Sequence, residues 1–550
     1  MSTEGARERV PSWWLGPAAN SREGALFWGA IAAVVLLALS LRLPGLAPSS
    51  LYLDDAWVAV LARDASLSDL LAIRPPHPVG FLVLLAFARR LLPGAELSLQ
   101  LLPFAASLAL VPLGAWLVRR RAGGLAGGIL AAVLLALNPA HSAFAVRVKP
   151  YATDALLSLV LVAATERCLS EPSARRLGRL ALLASLAVLF SYPAALVGAV
   201  GFAGAFLASV GSTRKRGALV GIAAAFLAAD LFFGFFLVYG QSNQALTNYW
   251  EGSFVPLHDP AAAVAFIVSR TILVFASSFP RGFGALGILG LLGFVLLLVN
   301  RGTRLAAGLL GALWAAFCAA AAMRLYPVDG RTTAFAYPLV ALVAAGTISM
   351  PMKRARRAVV REGVPAFLAA AVVLTSSSRV EYPVVEDARL VRSLRAESEP
   401  GDTVLIYPHA NWAAGYYGDW PVRLVPVDYY GTRFESRLLR DRSITLPGRL
   451  GYEDHPEVLD PALEELVSQK PERVLYLATH LEVKCCAAHV HIREFLGASG
   501  YRSERLARSL DGELLRFTRQ PSNRGPGTPP GLPKAGGSRP ERPSSTSGGP

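Results

Sequence analysis

The chain has 550 residues, 53% of them hydrophobic and 17% charged, with a mean hydropathy of +0.42 and a net charge of +15. The apolar residues form blocks of about 16 to 23 residues, which is the length that a helix needs to cross a bilayer. This pattern excludes an ordinary soluble protein. It also argues against nucleic acid as a partner, because the basic residues lie mainly at the ends of the apolar blocks, where they orient membrane proteins.

The apolar blocks predict an all-α polytopic membrane domain over residues 25–379, with about eleven transmembrane helices, after a cytoplasmic segment at residues 1–24. The predicted spans lie near residues 25–43, 98–118, 122–140, 151–169, 178–193, 194–210, 217–239, 283–300, 304–322, 332–350 and 364–377. Basic clusters lie at residues 119–121, 175–179, 214–216, 301–304 and 353–361. If all of these clusters are cytoplasmic, the spans alternate without conflict, and the region after residue 380 lies outside.

Two apolar segments do not fit this alternation. Residues 79–92 are too short for a comfortable span and carry two arginines near their end. Residues 262–279 must stay outside if the following span is to end in the cytoplasm. We therefore expect both segments to be interfacial helices on the outer surface. Because no cleavage site follows a short apolar core near the N-terminus, the first span is expected to remain as an anchor.

From about residue 380 the apolar blocks shorten to strand length. The predicted strands are residues 403–407, 423–427, 473–477 and 513–517, and the predicted helices are residues 387–397 and 461–469. Strands that alternate with helices predict a small extracytoplasmic α/β domain over residues 380–519. Residues 520–550 are rich in Pro, Gly, Ser and Arg and have little to bury, so a disordered tail is expected.

Two adjacent acids, Asp54 and Asp55, follow the first predicted span. Acidic side chains beside a bilayer are costly to desolvate, which makes the pair a candidate functional site. The alternative is structural, because acids in the first turn of a helix complement the helix dipole. The local sequence does not decide between these two interpretations.

Basic residues also occur in the predicted outer loops, where the positive-inside rule disfavours them. Arg147 and Lys149 precede Tyr151, and Arg324 and Arg331 lie in a later loop. Such side chains can simply extend to lipid headgroups. They can also form an anion site suited to a lipid phosphate. Acids and bases on one side would suit a reaction in which a nucleophile loses a proton and a phosphate leaves.

Further candidates in these loops are Arg74, His77 and Asp154. His77 could reach the acidic pair as a metal ligand or proton carrier, but a single histidine between prolines more often belongs to a rigid loop. The acidic pair could also hold a divalent cation, and the sequence leaves open whether any cofactor is needed.

Other polar features give weaker indications. Cys485 and Cys486, with His489 and His491, match no usual zinc spacing, and the cysteines make no disulfide framework. Asp230 lies within a predicted span, and its role stays open. The loop over residues 243–250 has a composition that suits sugar rings, although an ordinary polar loop is the favoured interpretation.

The order of three motifs resembles that of the GT-C glycosyltransferases. Residues 51–57 resemble the acidic loop motif of the bacterial branch that contains protein mannosyltransferases, lipid A aminoarabinose transferase and Rgt-type sugar transferases, with Asp55 where Glu is more usual. Residues 145–158 and 326–331 resemble later outer-loop motifs of that branch, and the resemblance covers roughly residues 25–380.

The resemblance implies inverting transfer of a sugar from a polyprenyl-phosphate donor to a glycan, lipid or protein acceptor on the outer face of the bacterial cytoplasmic membrane. It implies that Asp54 is the general base, or holds the acceptor or a divalent ion, and that Asp55 supports it. Arg147, Lys149 and Arg331 would bind the lipid phosphate, and Tyr151 would orient it. The rival function is a transporter or lipid-handling protein without chemistry. A transporter should show internal repeats and broken helices at the membrane midplane, and the sequence shows no such repeat.

Overall fold

The structure is a computed structural model. It describes residues 22–46, 50–73, 77–92, 95–122, 124–212, 216–241, 250–299, 304–353, 358–376, 382, 385–418, 420, 422–425, 435–438, 443–445, 456–481 and 487–521. The N-terminal segment before residue 22 and the predicted disordered tail after residue 521 therefore lie outside the described residues.

The described part of the chain is mostly helical. Its helices are α1 (Arg22–Arg42), α2 (Leu53–Asp64), α3 (Leu67–Ile73), α4 (Val79–Leu91), α5 (Ala95–Ala122), α6 (Leu125–Ala136), α7 (Pro139–Ala145), α8 (Tyr151–Ser170), α9 (Ala174–Val188), α10 (Pro193–Ser212), α11 (Arg216–Gln241), α12 (Pro260–Ser277), α13 (Ala285–Val299), α14 (Arg304–Ala322), α15 (Tyr337–Lys353), α16 (Ala358–Thr375), α17 (Asp387–Glu397), α18 (Asn411–Tyr417), α19 (Asp460–Ser468) and α20 (Ala487–Ala498).

By length and composition, four helical segments among the described residues could cross a membrane, or five if a bent pair counts as one span. They are Arg22–Leu46, Glu96–Arg121, Pro193–Val210 and Pro260–Ser277, and the bent pair is α6 with α7. The protein is therefore a helical membrane protein, but the predicted count of about eleven spans is not confirmed. The helices near several other predicted spans are apolar but shorter, such as α13 with 15 residues.

The span predicted at residues 122–140 is divided in two. Pro139 is the first residue of α7 and has no N–H to continue the hydrogen bonds of α6. The side chain of Asn138 accepts a hydrogen bond from His141 N at 3.0 Å and so begins the new helix. The two helices meet at an angle of 58°. A helix-capping residue followed by proline explains this break.

The centre of the bundle is α6, which packs against α1, α5, α15 and α16. Ten of its 12 residues are buried. Gly128 lies so close to α5 that a Cβ atom at this position would be 2.9 Å from the carbonyl oxygen of Ala115. Small residues permit such close approach of helices, which is the usual source of packing energy between membrane helices.

The two ends of the bundle carry different groups. Helix α8 has 20 residues and is about 30 Å long. Tyr151 begins it, and Glu166 near its other end contacts Arg121 at 2.6 Å. The predicted cytoplasmic cluster at residues 119–121 and the candidate residues at 147–151 therefore lie at opposite ends. Which end faces the cytoplasm stays a prediction.

Both segments predicted to be interfacial form helices. Helix α4 packs on α2 and α5. Helix α12 is long and apolar enough to cross a membrane, yet its first half packs near Val328 and its last residue accepts a hydrogen bond from Asn138 Nδ2 at 2.9 Å. Both contacts lie at the end of the bundle that carries residues 147–151. These contacts favour the interfacial position, which stays a prediction.

The C-terminal part contains a small sheet. Its strands are β1 (Thr403–Ile406), β2 (Val422–Val425), β3 (Glu435–Leu438), β4 (Ser443–Thr445), β5 (Arg473–Ala478), β6 (Tyr501–Arg508) and β7 (Glu513–Arg519). The five-stranded sheet has the order β4-β1-β5-β7-β6, and β2 and β3 form a separate antiparallel pair. Strands β4, β1 and β5 are parallel to one another, whereas β7 runs antiparallel to both of its neighbours, β5 and β6. A helical bundle followed by a small sheet agrees with the predicted fold class.

The C-terminal part contacts the segment that contains the acidic pair. The hydroxyl of Tyr417 on α18 accepts a hydrogen bond from Leu51 N at 2.5 Å. Ser50 N donates to Val385 O at 2.9 Å, and Arg63 donates to the carbonyl oxygen of Tyr416 at 3.2 Å. Helix α2 is therefore held between the bundle and the C-terminal sheet domain.

Candidate active site

The acidic pair lies in the first turn of α2, as the structural interpretation predicts. Helix geometry alone does not account for the two side chains, however, because both carboxylates face basic residues from other loops. Asp55 contacts Arg147, and Asp54 lies near Lys149 and Arg331. The two interpretations of the sequence are thus compatible, since the acids begin a helix and also form part of a charged cluster.

Asp55 and Arg147 form the tightest pair of the cluster. Arg147 Nε donates to Asp55 Oδ2 at 2.5 Å, and the Asp55 side chain is only 4% exposed. Burial raises the pKa of Asp55 even though Arg147 acts in the opposite direction. The guanidinium of Arg147 also lies over the ring of Tyr52, 4.9 Å from its centre. Asp55 is therefore fixed in place by Arg147 and has little access to solvent.

Asp54 is the more accessible acid, with 35% of its side chain exposed. Its Oδ2 atom lies 3.9 Å from Lys149 Nζ and 3.7 Å from Arg331 Nη1. Burial alone would raise the pKa of Asp54, but Lys149, Arg147 and Arg331 together hold it below its ordinary value. Asp54 is consequently ionised at neutral pH and open on one side, as an acid that meets a substrate must be.

Lys149 connects the acids to His77. Its ammonium lies 3.0 Å from His77 Nε2 and 5.6 Å from the ring centre of Trp57. Burial holds the pKa of His77 well below its ordinary value, and Lys149 acts in the same direction. A neutral His77 can accept the hydrogen bond from Lys149, which leaves Lys149 aimed at Asp54. Among the described residues, His77 therefore contacts the basic group of the cluster rather than the acids.

Arg331 reaches the cluster from the loop between α14 and α15. Its backbone N–H donates to Asp329 Oδ1 at 3.1 Å, which fixes the turn. Its guanidinium lies over Trp250, 5.0 Å from the ring centre. Its side chain is 38% exposed, so it keeps access to a ligand.

The remaining predicted residues lie further from the acidic pair. Tyr151 packs against Phe144 at 4.8 Å between ring centres and is within electrostatic range of Arg331 and Asp54. Asp154 is one turn deeper in α8, where its side chain is buried. Arg74 lies outside the described residues. The structure thus gathers Asp54, Asp55 and the three basic residues of the cluster, whereas Asp154 does not join them.

The arrangement of acidic and histidine side chains bears on the predicted divalent cation. Within the described ranges, no group of three or more His, Cys, Asp or Glu side chains could hold a metal ion. Both acids of the pair already face basic groups. In the C-terminal part, His489 contacts Glu513 at 3.0 Å and His491 contacts Asp460 at 2.6 Å. Cys485 and Cys486 lie outside the described residues.

The structure places a further group beside the pair, one that was not predicted from the sequence. The ring of His480, from the C-terminal part, meets the ring of Tyr52 at 4.9 Å and an interplanar angle of 67°. Trp412 on α18 stacks on Trp57 at 5.7 Å. Tyr52 and Trp57 flank the acids and could have been considered from their positions. His480 lies more than 400 residues away in sequence and has no motif that would mark it.

Comparison with solved structures shows a distant likeness. No protein-family model and no curated protein matches the chain. The structure is similar to the crystal structure of ArnT from Cupriavidus metallidurans in the apo state, with 12% sequence identity and a TM-score of 0.42. The likeness covers 89% of this chain and 98% of that chain. Similarity at this level does not establish a function, which must be argued from the site itself.

Proposed function

We propose that this protein is an integral-membrane inverting glycosyltransferase that moves a sugar from a polyprenyl-phosphate donor to an acceptor. The observation that supports it best is the environment of Asp54. This acid is ionised, partly exposed, and within 4 Å of Lys149 and Arg331 at one end of an apolar helical bundle. A base beside two cations is the arrangement that a reaction with a departing phosphate requires.

The proposed reaction uses the side chains in these positions. A hydroxyl or amine of the acceptor attacks the anomeric carbon while Asp54 takes its proton. The bond between that carbon and the phosphate oxygen breaks, and the polyprenyl phosphate leaves with the bonding electrons. Lys149 and Arg331 would stabilise the charge on the phosphate, with Tyr151 orienting it. Attack from the side opposite the leaving group inverts the anomeric centre.

The donor itself would prepare the base. Lys149 and Arg331 are among the charges that hold the pKa of Asp54 down. A phosphate that engages these two cations would weaken their hold on Asp54 and add negative charge nearby. Both effects raise the pKa of Asp54 towards its ordinary value, which makes it a stronger base when donor is bound. Asp55 stays paired with Arg147 and keeps the cluster in place.

An apolar cavity suits the lipid part of such a donor. It has a volume of about 160 Å³ and lies between α12, α13, α14 and α15. Its lining includes Phe335 and Ala336, which follow Arg331 closely in the chain, and continues to Leu339 and Val343. A single donor molecule could therefore place its phosphate at Arg331 and its isoprenoid chain along these residues.

The proposal extends to the location of the enzyme. The cluster at residues 119–121 lies at the far end of the bundle from Asp54, so the positive-inside rule would place Asp54 and the C-terminal domain outside the cytoplasm. We assign the protein to the bacterial cytoplasmic membrane on this basis. The acceptor is a glycan, a lipid or a protein.

The experiment that tests this function is sugar transfer in membranes that contain Asp54→Asn. Polyprenyl-phosphate sugars carrying a radiolabel are supplied with candidate acceptors, and labelled product is measured. Loss of a general base typically lowers the rate about 100-fold or more. Asp69→Asn is the matched control, because Asp69 is an exposed acid in α3 that bonds only locally, to Ser66 at 2.6 Å.

Two outcomes would contradict the proposal. One is a normal transfer rate in correctly inserted Asp54→Asn protein. The other is that wild-type protein transfers no sugar but moves the lipid-linked sugar across reconstituted vesicles, which would favour the rival transporter or lipid-handling function.

A further inference from the structure

His480 is enclosed by two acids of the C-terminal part. Its Nε2 atom lies 2.9 Å from Asp387 Oδ2, and its Nδ1 atom lies 3.2 Å from Asp511 Oδ2. The side chains of His480 and Asp387 are fully buried. Nε2 is the nitrogen that hydrogen-bonds, to Asp387, and the proximity of both carboxylates favours the positively charged imidazolium. Burial opposes that charge, but the two acids raise the pKa of His480 to about 9.

The ring of His480 also contacts Tyr52, which lies beside the acidic pair of the candidate active site. The ring of His480 packs edge-on against Tyr52 at 4.9 Å, and the guanidinium of Arg147 lies over the same Tyr52 ring at 4.9 Å. Arg147 in turn holds Asp55 at 2.5 Å. A continuous series of contacts therefore runs from the C-terminal part to the buried acid of the pair.

The backbone at His480 is also unusual. Its φ angle is +59°, in the left-handed region that residues other than glycine rarely adopt. A residue persists in that conformation only where its surroundings fix it. The adjacent backbone is anchored, because Leu481 N donates to Asp511 O at 2.8 Å. The chain is thus shaped to hold this imidazole at Tyr52.

A second buried histidine shows what is particular to His480. His489 also bonds an acid, Glu513, at 3.0 Å, and it stacks on Tyr476 within the C-terminal part. It lies on α20, and the described residues that it contacts, Glu513, Tyr476 and Tyr407, all belong to the C-terminal part. Both histidines stabilise this part of the protein, but only His480 extends its contacts to α2 among the described residues.

We propose that His480 is a positioning residue for the reaction at Asp54, acting through Tyr52 and Arg147, so that docking of the C-terminal domain completes the active site. This inference rests on the proposed function. The imidazolium fixes the ring of Tyr52, which limits where Arg147 can lie and hence keeps Asp55 paired. Its positive charge also acts on Asp54 and helps to keep Asp54 ionised.

The charged groups that face His480 are few and can be named. Asp387 on α17 and Asp511 in the turn between β6 and β7 contact it directly. Tyr52 covers its edge, with Asp54 and Arg147 beyond. Removing the charge of His480 therefore leaves two carboxylates without their shared cation and takes one positive charge away from Asp54.

The test compares His480→Asn with His489→Asn in the full-length protein. Asparagine tolerates the left-handed backbone and keeps one donor group, so His480→Asn removes the ring and the charge with little change to the chain. Hydrogen exchange of residues 50–58 is measured first, because it needs no activity. We expect faster exchange there in His480→Asn, while His489→Asn leaves this segment as in the wild type.

Transfer as a function of pH gives the second measurement. His480→Asn should lower the rate about 10- to 100-fold, as a small misplacement of reacting groups does. Its acid limb should move to higher pH, because the pKa of Asp54 rises when a nearby positive charge is lost. His480→Lys, which restores the charge, should return the acid limb towards the wild-type position.

The inference is overturned if residues 50–58 exchange at the wild-type rate in His480→Asn, or if His489→Asn has the same effects. A fall in rate without a shift of the acid limb would also overturn it, since a purely structural role predicts that result. If the wild type transfers no sugar but the exchange difference is present, the proposed function fails while the docking contact stands.

Discussion

The two ends of the helical bundle both contain ion pairs, but they bury them to different degrees. Near the acidic pair, the side chains of Asp55 and Lys149 are 4% and 6% exposed. At the opposite end, Arg121 and Glu166 are 48% and 17% exposed, and Arg176 and Glu171 are 25% and 63% exposed, so neither pair has a side chain as buried as those two. Solvent-exposed pairs cost little and contribute little, whereas buried ions carry a large desolvation penalty.

This difference in burial distinguishes the end that is predicted to orient the protein in the membrane from the end that holds the candidate active site. Exposed arginines at one end are what membrane orientation requires, and they need no defined geometry. The other end keeps charges in an expensive environment and fixes them with rings and hydrogen bonds. A protein that only needed to sit in a membrane would gain nothing from this arrangement. The predictions below test whether the two ends differ as their burial indicates.

The largest expected effect follows from removing Arg147. Arg147→Met leaves Asp55 buried without its partner, which typically destabilises a protein by about 3–5 kcal/mol. Arg176→Met at the opposite end removes an exposed pair and should cost about 1 kcal/mol or less. Thermal unfolding of the two purified variants in detergent measures the difference. Equal losses of stability would show that the burial of Asp55 has no energetic consequence.

Arg331 and Arg324 provide a comparison within one loop. Arg331 lies 3.7 Å from Asp54, whereas Arg324 contacts Glu251 in a pair whose side chains are 49% and 60% exposed. Arg331→Gln removes a cation from the proposed phosphate site and should lower sugar transfer on the order of 100-fold. Arg324→Gln should leave transfer within about twofold of the wild type, because exposed pairs contribute little.

The measurement for this pair is the initial rate of labelled product at saturating acceptor. Transfer that falls equally in both variants would indicate a general effect of charge at this end and would argue against a defined site at Arg331.

The sequence predicts one part of the candidate site well. Asp54, Asp55 and the bases at residues 147 and 149 lie in short loops between apolar blocks, so sidedness alone brings them to one end. The helix at residues 387–397 is also found as predicted, because its apolar residues follow helical spacing. The predicted side of the membrane does not indicate which acid is buried, and in the structure Asp55 is buried while Asp54 is accessible. That distinction depends on the contacts of Arg147.

Other parts could not be predicted for physical reasons. Strand β6 is an edge strand with four consecutive exposed residues, 502–505, so it lacks the alternating apolar pattern that marks a strand. His480 becomes part of the site only because α18 and the segment at residue 385 dock on α2. Contacts between distant segments depend on tertiary packing, which periodicity does not report. The break at Pro139 was also not predicted, because length and hydropathy alone do not report where a helix bends, and the number of spans stays a prediction.

A smaller effect concerns pH and the C-terminal part. The pKa of His480 is about 9 in the folded state, above the ordinary 6.5. A raised pKa means that the charged form stabilises the fold fully below pH about 6.5, and that this contribution is lost as the pH rises through about 9. The melting temperature should therefore fall by a few degrees over this range in the wild type. His480→Asn should start lower and show a flatter dependence, and an unchanged slope would contradict the assignment of charge to His480.

The smallest expected effect lies at the opposite end, at Glu362. Its carboxylate accepts a hydrogen bond from Ala126 N at 2.9 Å, at the start of α6, where the helix dipole favours a negative charge. Glu362→Gln keeps an acceptor and removes the charge, so it should cost about 0.5 kcal/mol and leave sugar transfer unchanged. Glu362→Ala removes the acceptor as well and should cost about 1 kcal/mol. Chemical denaturation resolves the order of the two variants. If Glu362→Gln impaired transfer as strongly as Arg331→Gln, the two ends of the bundle would be coupled, and the separation of orientation from chemistry would be wrong.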